Sequence, residues 1–332
     1  MNERTRLLMA VGITVALFLG VQFGSLALIE PFHESERQAV ENPDDPTNSA
    51  IYVGIILVAT AFMLAAFKYD LQWVIRALIV GVSVMLAWFV FTEFIPPVAT
   101  AGPVNLPAAL AAAGVGAALL LYPEWYVIDA SGVLIGAGAA ALFGISFGLL
   151  PAILLLSALA IYDAISVYGT EHMLDLAEGV MDLKIPVILI APTSLSYTYL
   201  AAGSTDDALD DESDGGASEA TDGGDADAEP AEDPLDRDAL YIGLGDAVIP
   251  TILVVSAAFF LDAGEIDVPG LALNVPALGA LVGTLVGLLV LLYMVIKGRA
   301  HAGLPLLNGG AIGGYLLGAV ASGVSIVTAL GF

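Results

Sequence analysis

The sequence contains no cysteine, and only 13% of its 332 residues are charged. Without cysteine there are no disulfides, thiolate zinc sites, iron–sulfur clusters or cysteine nucleophiles. The three histidines, His33, His172 and His301, sit at ends of apolar runs or in loops. That is a poor basis for a histidine metal site, so neither metal nor cofactor is expected. A soluble globular domain carries about twice this charge fraction. Hydrophobic residues make up 58% of the chain, and the mean hydropathy is +0.88. A soluble fold is therefore excluded. An outer-membrane barrel is excluded as well, because its strands alternate lipid-facing and lumen-facing residues and leave no long continuous apolar runs. Lysine is confined to Lys68, Lys184 and Lys297. A basic footprint is missing, so no nucleic-acid partner is expected.

What charge there is has the opposite sign and is concentrated in one place. The net charge is −26, and the stretch 206–238 holds 15 acids against the single base Arg237. This Asp/Ala/Gly/Glu tract cannot bury apolar surface, and its composition predicts disorder. An excess of acid with so little lysine suggests a salt-loving host whose exposed surfaces stay hydrated by carboxylates.

The apolar runs divide at charges, prolines and glycine clusters. They predict helices over 7–29, 51–67, 72–95, 107–122, 132–148, 151–169, 240–261, 275–296 and 304–330. The expected fold is all-α: a polytopic membrane protein with nine transmembrane helices in a lipid bilayer. Three regions result: 1–202 with six spans, 203–238 as a disordered acidic loop, and 239–332 with the last three spans. Within the first region, 172–183 reads as an amphipathic interfacial helix. The segment 185–201, broken by Pro186 and Pro192, reads as a loop or re-entrant piece.

Nine spans put the termini on opposite sides. With the N-terminus inside, the short cytoplasmic segments hold Arg4, Arg6, Lys68, Arg76, Lys297 and Arg299, and the outer ones hold Arg37 alone. The positive-inside rule thus places the N-terminus and the acidic loop in the cytoplasm and the C-terminus outside.

An ionised Asp at a helix centre costs roughly 2.5–3.5 kcal/mol on insertion scales. Only Asp163 and Asp246 lie well inside strong spans. Each falls seven residues from the cytoplasmic end of its predicted helix, near 170 and 239, so both lie roughly 10 Å deep at 1.5 Å per residue. Two carboxyls a few ångströms apart share one proton. Such a pair can activate water with one group and hydrogen-bond an amide carbonyl with the other, using neither metal nor side-chain nucleophile. Gly243 and Gly245 flank Leu244 just before Asp246 and leave room for close approach, while Tyr162 adds a ring and hydroxyl beside Asp163. Other polar positions have plainer readings. Glu93 is interfacial, Glu124 and Asp129 occupy a short cytoplasmic turn, and Gly309, Gly310, Gly313 and Gly314 permit close helix packing. Taken without further information, paired midspan acids also fit an ion-coupled transporter or a cation leak channel.

Tyr162-Asp163 in a sixth span and Gly243-Leu244-Gly245-Asp246 in a seventh, separated by a long hydrophilic loop, resemble the presenilin and signal peptide peptidase family of intramembrane aspartyl proteases. The resemblance covers nearly the whole chain. It implies an aspartic endopeptidase with Asp163 and Asp246 as its catalytic pair. Transmembrane polypeptides would be its substrates, and any accessory subunits are left open. The family's Pro-Ala-Leu motif opens the ninth span; here that place reads Pro305-Leu306-Leu307, whereas a literal Pro276-Ala277-Leu278 opens the eighth. The role carries over to Pro305, with Leu306 and Leu307 shaping the site. Because Pro305 disfavours helix for Leu304, the stretch 304–307 is expected to stay non-helical. The inward N-terminus resembles the presenilin branch, whose substrates are single-span helices with an outside N-terminus. Short loops and acidic bias suggest an archaeal plasma-membrane homologue.

Overall fold

A computed structural model describes residues 3–69, 71–169, 187–194, 197–200, 239–297 and 302–332. The expected interfacial helix at 172–183, the acidic tract within 203–238, and His172, His301 and Arg299 lie outside the described residues. The protein is mostly helical. Helices α1 (Glu3–Glu34), α2 (Thr47–Lys68), α3 (Gln72–Phe94), α4 (Leu106–Leu121), α5 (Trp125–Ser146) and α6 (Leu149–Gly169) form the first half. A small hairpin, β1 (Thr100–Ala101) and β2 (Val104–Asn105), joins α3 to α4. The second half holds α7 (Leu244–Phe260), α8 (Val275–Ile296), α9 (Gly303–Ala321) and the short α10 (Ile326–Ala329). Among the described residues, seven helices are long and apolar enough to cross a membrane, while α4 and α7 are shorter apolar helices.

Helix α7 is the hub, packing against α1, α5, α6, α8 and α9. Every residue from Pro250 to Ala257 is buried, as expected of a helix that is apolar all round. By contrast α2 leaves Ile51, Ile55, Val58 and Phe62 exposed, a face that suits hydrocarbon rather than protein. Glycines set the closest helix contacts. On α8, Gly279, Gly283 and Gly287 lie against the backbone of Gly314, Gly310 and Leu306 of α9, so closely that a Cβ at any of them would collide with main chain. This four-residue spacing of small residues is how membrane helices gain contact where lipid already satisfies apolar side chains. At the other end of α1, Glu93 joins Arg37 at 2.7 Å and accepts from the Ser35 hydroxyl at 2.8 Å, fastening α1 to α3.

Five features differ from the expectation. The segment expected to be a loop or re-entrant piece contains a buried strand, β3 (Ile188–Pro192), antiparallel to β4 (Ala239–Gly243) with Ile190 opposite Tyr241. A run that is apolar on both faces carries no period to distinguish strand from helix. The seventh helix consequently starts at Leu244 rather than 240. Helix α5 starts at Trp125, so Asp129 lies within it and not in a turn. Residues 304–307 are helical, because Pro305 occupies the first turn of α9, where its missing N–H has no intrahelical partner to lose. The final apolar run breaks after Ala321 at a turn through Gly323, whose φ of +81° favours glycine.

Candidate active site

Asp163 sits on α6, six residues before its last residue Gly169, and is 6% exposed. Its Oδ2 accepts a hydrogen bond from the backbone N–H of Leu304 at 3.0 Å. Leu304 is the second residue of α9, and the N-cap residue Ala302 offers no side chain to the first amides. A helix leaves its first N–H groups without internal partners and carries partial positive charge there. The carboxyl of Asp163 supplies that cap from a different helix.

Asp246 is the third residue of α7, preceded by Gly243 at the N-cap. A Cβ on Gly243 would stand 3.4 Å from its Oδ2, and one on Gly303 would stand 3.5 Å away. The carboxyl thus occupies a niche walled on two sides by glycine. Gly303 precedes Leu304, so two consecutive residues at the start of α9 lie beside the two aspartates. Asp246 is therefore one turn into its helix rather than two. The equal helical offsets expected for the two aspartates are not found: an extended strand leads into the helix just before Asp246. Four residues on, Pro250 lacks the N–H that would close on the carbonyl of Asp246, which loosens the first turn just where the carboxyl is displayed.

The strand β4 runs without a break into Gly243. In an antiparallel ladder, hydrogen-bonded and non-hydrogen-bonded pairs alternate. The N–H of Leu244 donates to Val187 O at 2.8 Å, so the next pair, Gly243 with Ile188, is of the second kind, and the Gly243 N–H points away from β3. Among the described residues this sheet has two strands. Beyond α9's first turn, an apolar groove of about 300 Å3 runs between α6 and α9, lined among others by Ser157, Ala164, Pro305 and Asn308.

The sequence-derived positions divide into two sets. Asp163, Asp246, Gly243 and Pro305 converge on the start of α9, with Tyr162 half-buried beside them and Gly245 exposed. Leu244 instead reaches α5, where a Cβ on Gly136 would meet its side chain at 3.1 Å. Leu307 is fully buried among Leu288, Leu291 and Leu292 of α8, and Leu306 packs at the edge of the same cluster. Pro276 lies at the opposite end of the α8–α9 pair, beside Gly318, far along both helices from the aspartates. Among the described residues, no cluster of three His, Asp or Glu side chains is placed to hold a metal ion. Sequence reading missed Gly303 and Pro250 beside Asp246, and of these only Pro250, four residues after Asp246, left a signal that could have been used.

Comparison with known proteins adds the lineage. Residues 15–324 match the family described as signal-peptide peptidase, presenilin aspartyl protease. The chain is similar to a presenilin family intramembrane aspartate protease solved in a C222 crystal form, with 32% identity and a TM-score of 0.62 over 94% of this chain and 99% of that one. A P2 crystal form of a presenilin family intramembrane aspartate protease gives 34% identity and a TM-score of 0.60, covering 93% and 97%. No curated protein matches. Two acids at one helix start, an apolar bundle and this extent of likeness agree, and the chain belongs to the signal-peptide peptidase and presenilin family as an integral membrane, intramembrane aspartyl protease.

Proposed function

We propose that Asp163 and Asp246 are the catalytic pair, and that the protein hydrolyses peptide bonds inside single-span membrane proteins whose N-terminus lies outside. One observation carries the reading: two consecutive residues of α9 lie beside the two carboxyls, Leu304 donating to Asp163 and Gly303 facing Asp246. The pair holds one proton between them. The ionised group takes a proton from water as the water oxygen adds to the carbonyl carbon. The protonated group donates to the carbonyl oxygen, and when the C–N bond breaks a proton passes to the leaving amine. Substrate reaches the pair as extended chain, after unwinding, with the outer edge of β4, which has no third strand among the described residues, offering backbone partners by strand addition. Tyr162, Gly243 and Gly245 keep the approach open, and Pro305 borders the groove through which the helix arrives.

The test is cleavage of a single-span substrate by purified protein. Asp163→Ala and Asp246→Ala each abolish turnover, and the double variant is no worse, as expected of groups acting as one unit. Turnover rises and falls with pH as a property of the pair. Substantial cleavage by Asp163→Asn or Asp246→Asn would sink the assignment.

The same reading takes α4 and α7 as the remaining two of nine spans, with the N-terminus in the cytoplasm and an archaeal, high-salt host. Residues 203–238 are then a solvated cytoplasmic loop outside the catalytic fold. Deleting 206–235 should leave cleavage intact and make stability less dependent on molar salt. Loss of activity in a well-folded deletion would make the loop a working part.

A further inference from the structure

Two buried acids have no place in the reaction as described. Glu124 is the N-cap residue of α5 and Asp129 lies in its second turn, and each is 4% exposed. A carboxylate is among the costliest groups to bury, and burial is tolerated where it meets specific hydrogen bonds. Here both acids accept from one neighbouring segment. Asp129 Oδ1 accepts from the Ile190 N–H at 2.7 Å, and Glu124 Oε2 accepts from the Tyr199 N–H at 3.0 Å. The Oδ2 of Asp129 has no hydrogen-bond partner among the described residues.

The direction of the Ile190 N–H decides what this contact does. Ile190 faces Tyr241 as a non-hydrogen-bonded pair, so its N–H points away from β4 and along the outer edge of β3. Of the three outward positions on that edge, Ile188 keeps its donor, Asp129 occupies the donor at Ile190, and Pro192 has none. An exposed strand edge invites pairing with any extended chain, and an acid and a proline are two ways to close one. On its other side β4 has no further strand among the described residues, and it leads directly to Gly243 and Asp246.

We infer that Asp129 is a positioning residue for the choice of scissile bond: it fixes β3 to α5, so that an extended substrate adding beside Gly243 does so in one register. This rests on the reading of Asp163 and Asp246 as the catalytic pair. A one-residue slip in register exchanges the faces of a strand, so a loosened sheet would present neighbouring peptide bonds to the pair. It would also leave ordering of the sheet to be done on binding, which weakens the complex.

The experiment uses the full-length protein and a single-span substrate, with kcat and KM measured and cut positions mapped by mass spectrometry. Asp129→Ala should raise KM roughly tenfold, equivalent to about 1.4 kcal/mol, and spread the cuts to adjacent bonds while kcat changes little. Asp129→Asn keeps an acceptor for Ile190 and should restore the wild-type cut pattern. Ile190→Pro removes the donor and spares the ladder, so it should spread the cuts as Asp129→Ala does, and it decides the matter if Asp129→Ala does not fold. Unchanged cut positions and KM in folded Asp129→Ala, or in Ile190→Pro, would overturn the inference, as would Asn behaving like Ala. Asp246→Ala separates the two levels. If it still cleaves, the pair and the inference fall together; if it is inactive while Asp129→Ala cuts as wild type, only the inference falls.

Discussion

The two faces of α9 use the same residue for opposite ends. Gly310 and Gly314 meet the backbone of Gly283 and Gly279 on α8 with no space for even a methyl group. Gly309 and Gly313, one residue earlier in each pair, would meet nothing within 4 Å if given a Cβ, and Gly309 borders the groove shared with α6. A glycine pair in a membrane helix therefore has no single meaning. On one face the missing side chain lets two backbones lock; on the other it leaves open space, which at Gly309 joins the groove between α6 and α9.

Four substitutions probe that contrast in order of expected effect. Gly310→Leu forces a side chain against main chain that cannot yield, and overpacking of this kind should cost about 3 kcal/mol or more. Thermal unfolding in detergent should show a large loss of stability, with little folded protein recovered. If Gly310→Leu melted like wild type, the locked face would be wrongly assigned. Gly309→Leu should leave the melting temperature nearly unchanged yet reduce kcat/KM by about one to two orders of magnitude, an effect of roughly 1.4–2.7 kcal/mol on transition-state access. An active Gly309→Leu would remove the groove as an explanation of substrate entry. The smallest effects concern the prolines. Pro305→Ala, at the mouth of the groove, should lower cleavage several-fold, whereas Pro276→Ala, at the far end of α8, should change it by less than about twofold, within the range of surface substitutions. The reverse order would move the family's Pro-Ala-Leu role to Pro276.

How far the sequence reveals this arrangement depends on how each element announces itself. The long spans are legible because charges and prolines bracket them, and Asp163 and Asp246 because an acid within an apolar run demands a reason. The β3–β4 sheet was hidden. Residues 188–192 are buried on both faces, so neither the period of a strand nor that of a helix appears, and 239–243 merges with the apolar run of α7. Pro305 misled for a different reason. The rule that a residue before proline avoids helix is weakest in a helix's first turn, where the lost N–H was idle and where Asp163 holds the amide before it. Asp129 was unreadable because a turn residue and a residue in the second turn of a helix look alike until the helix start is known.

The cap that Asp163 places on Leu304 also sets an order of assembly. Both aspartates are encoded well before residues 303 and 304, and α9 follows α6 and α7 along the chain. A nascent chain emerging from the ribosome thus carries both carboxyls long before it carries the two amino acids that bring them to one place. The site closes only when α9 has entered the membrane, so a half-made molecule holds both acids without the floor on which they meet.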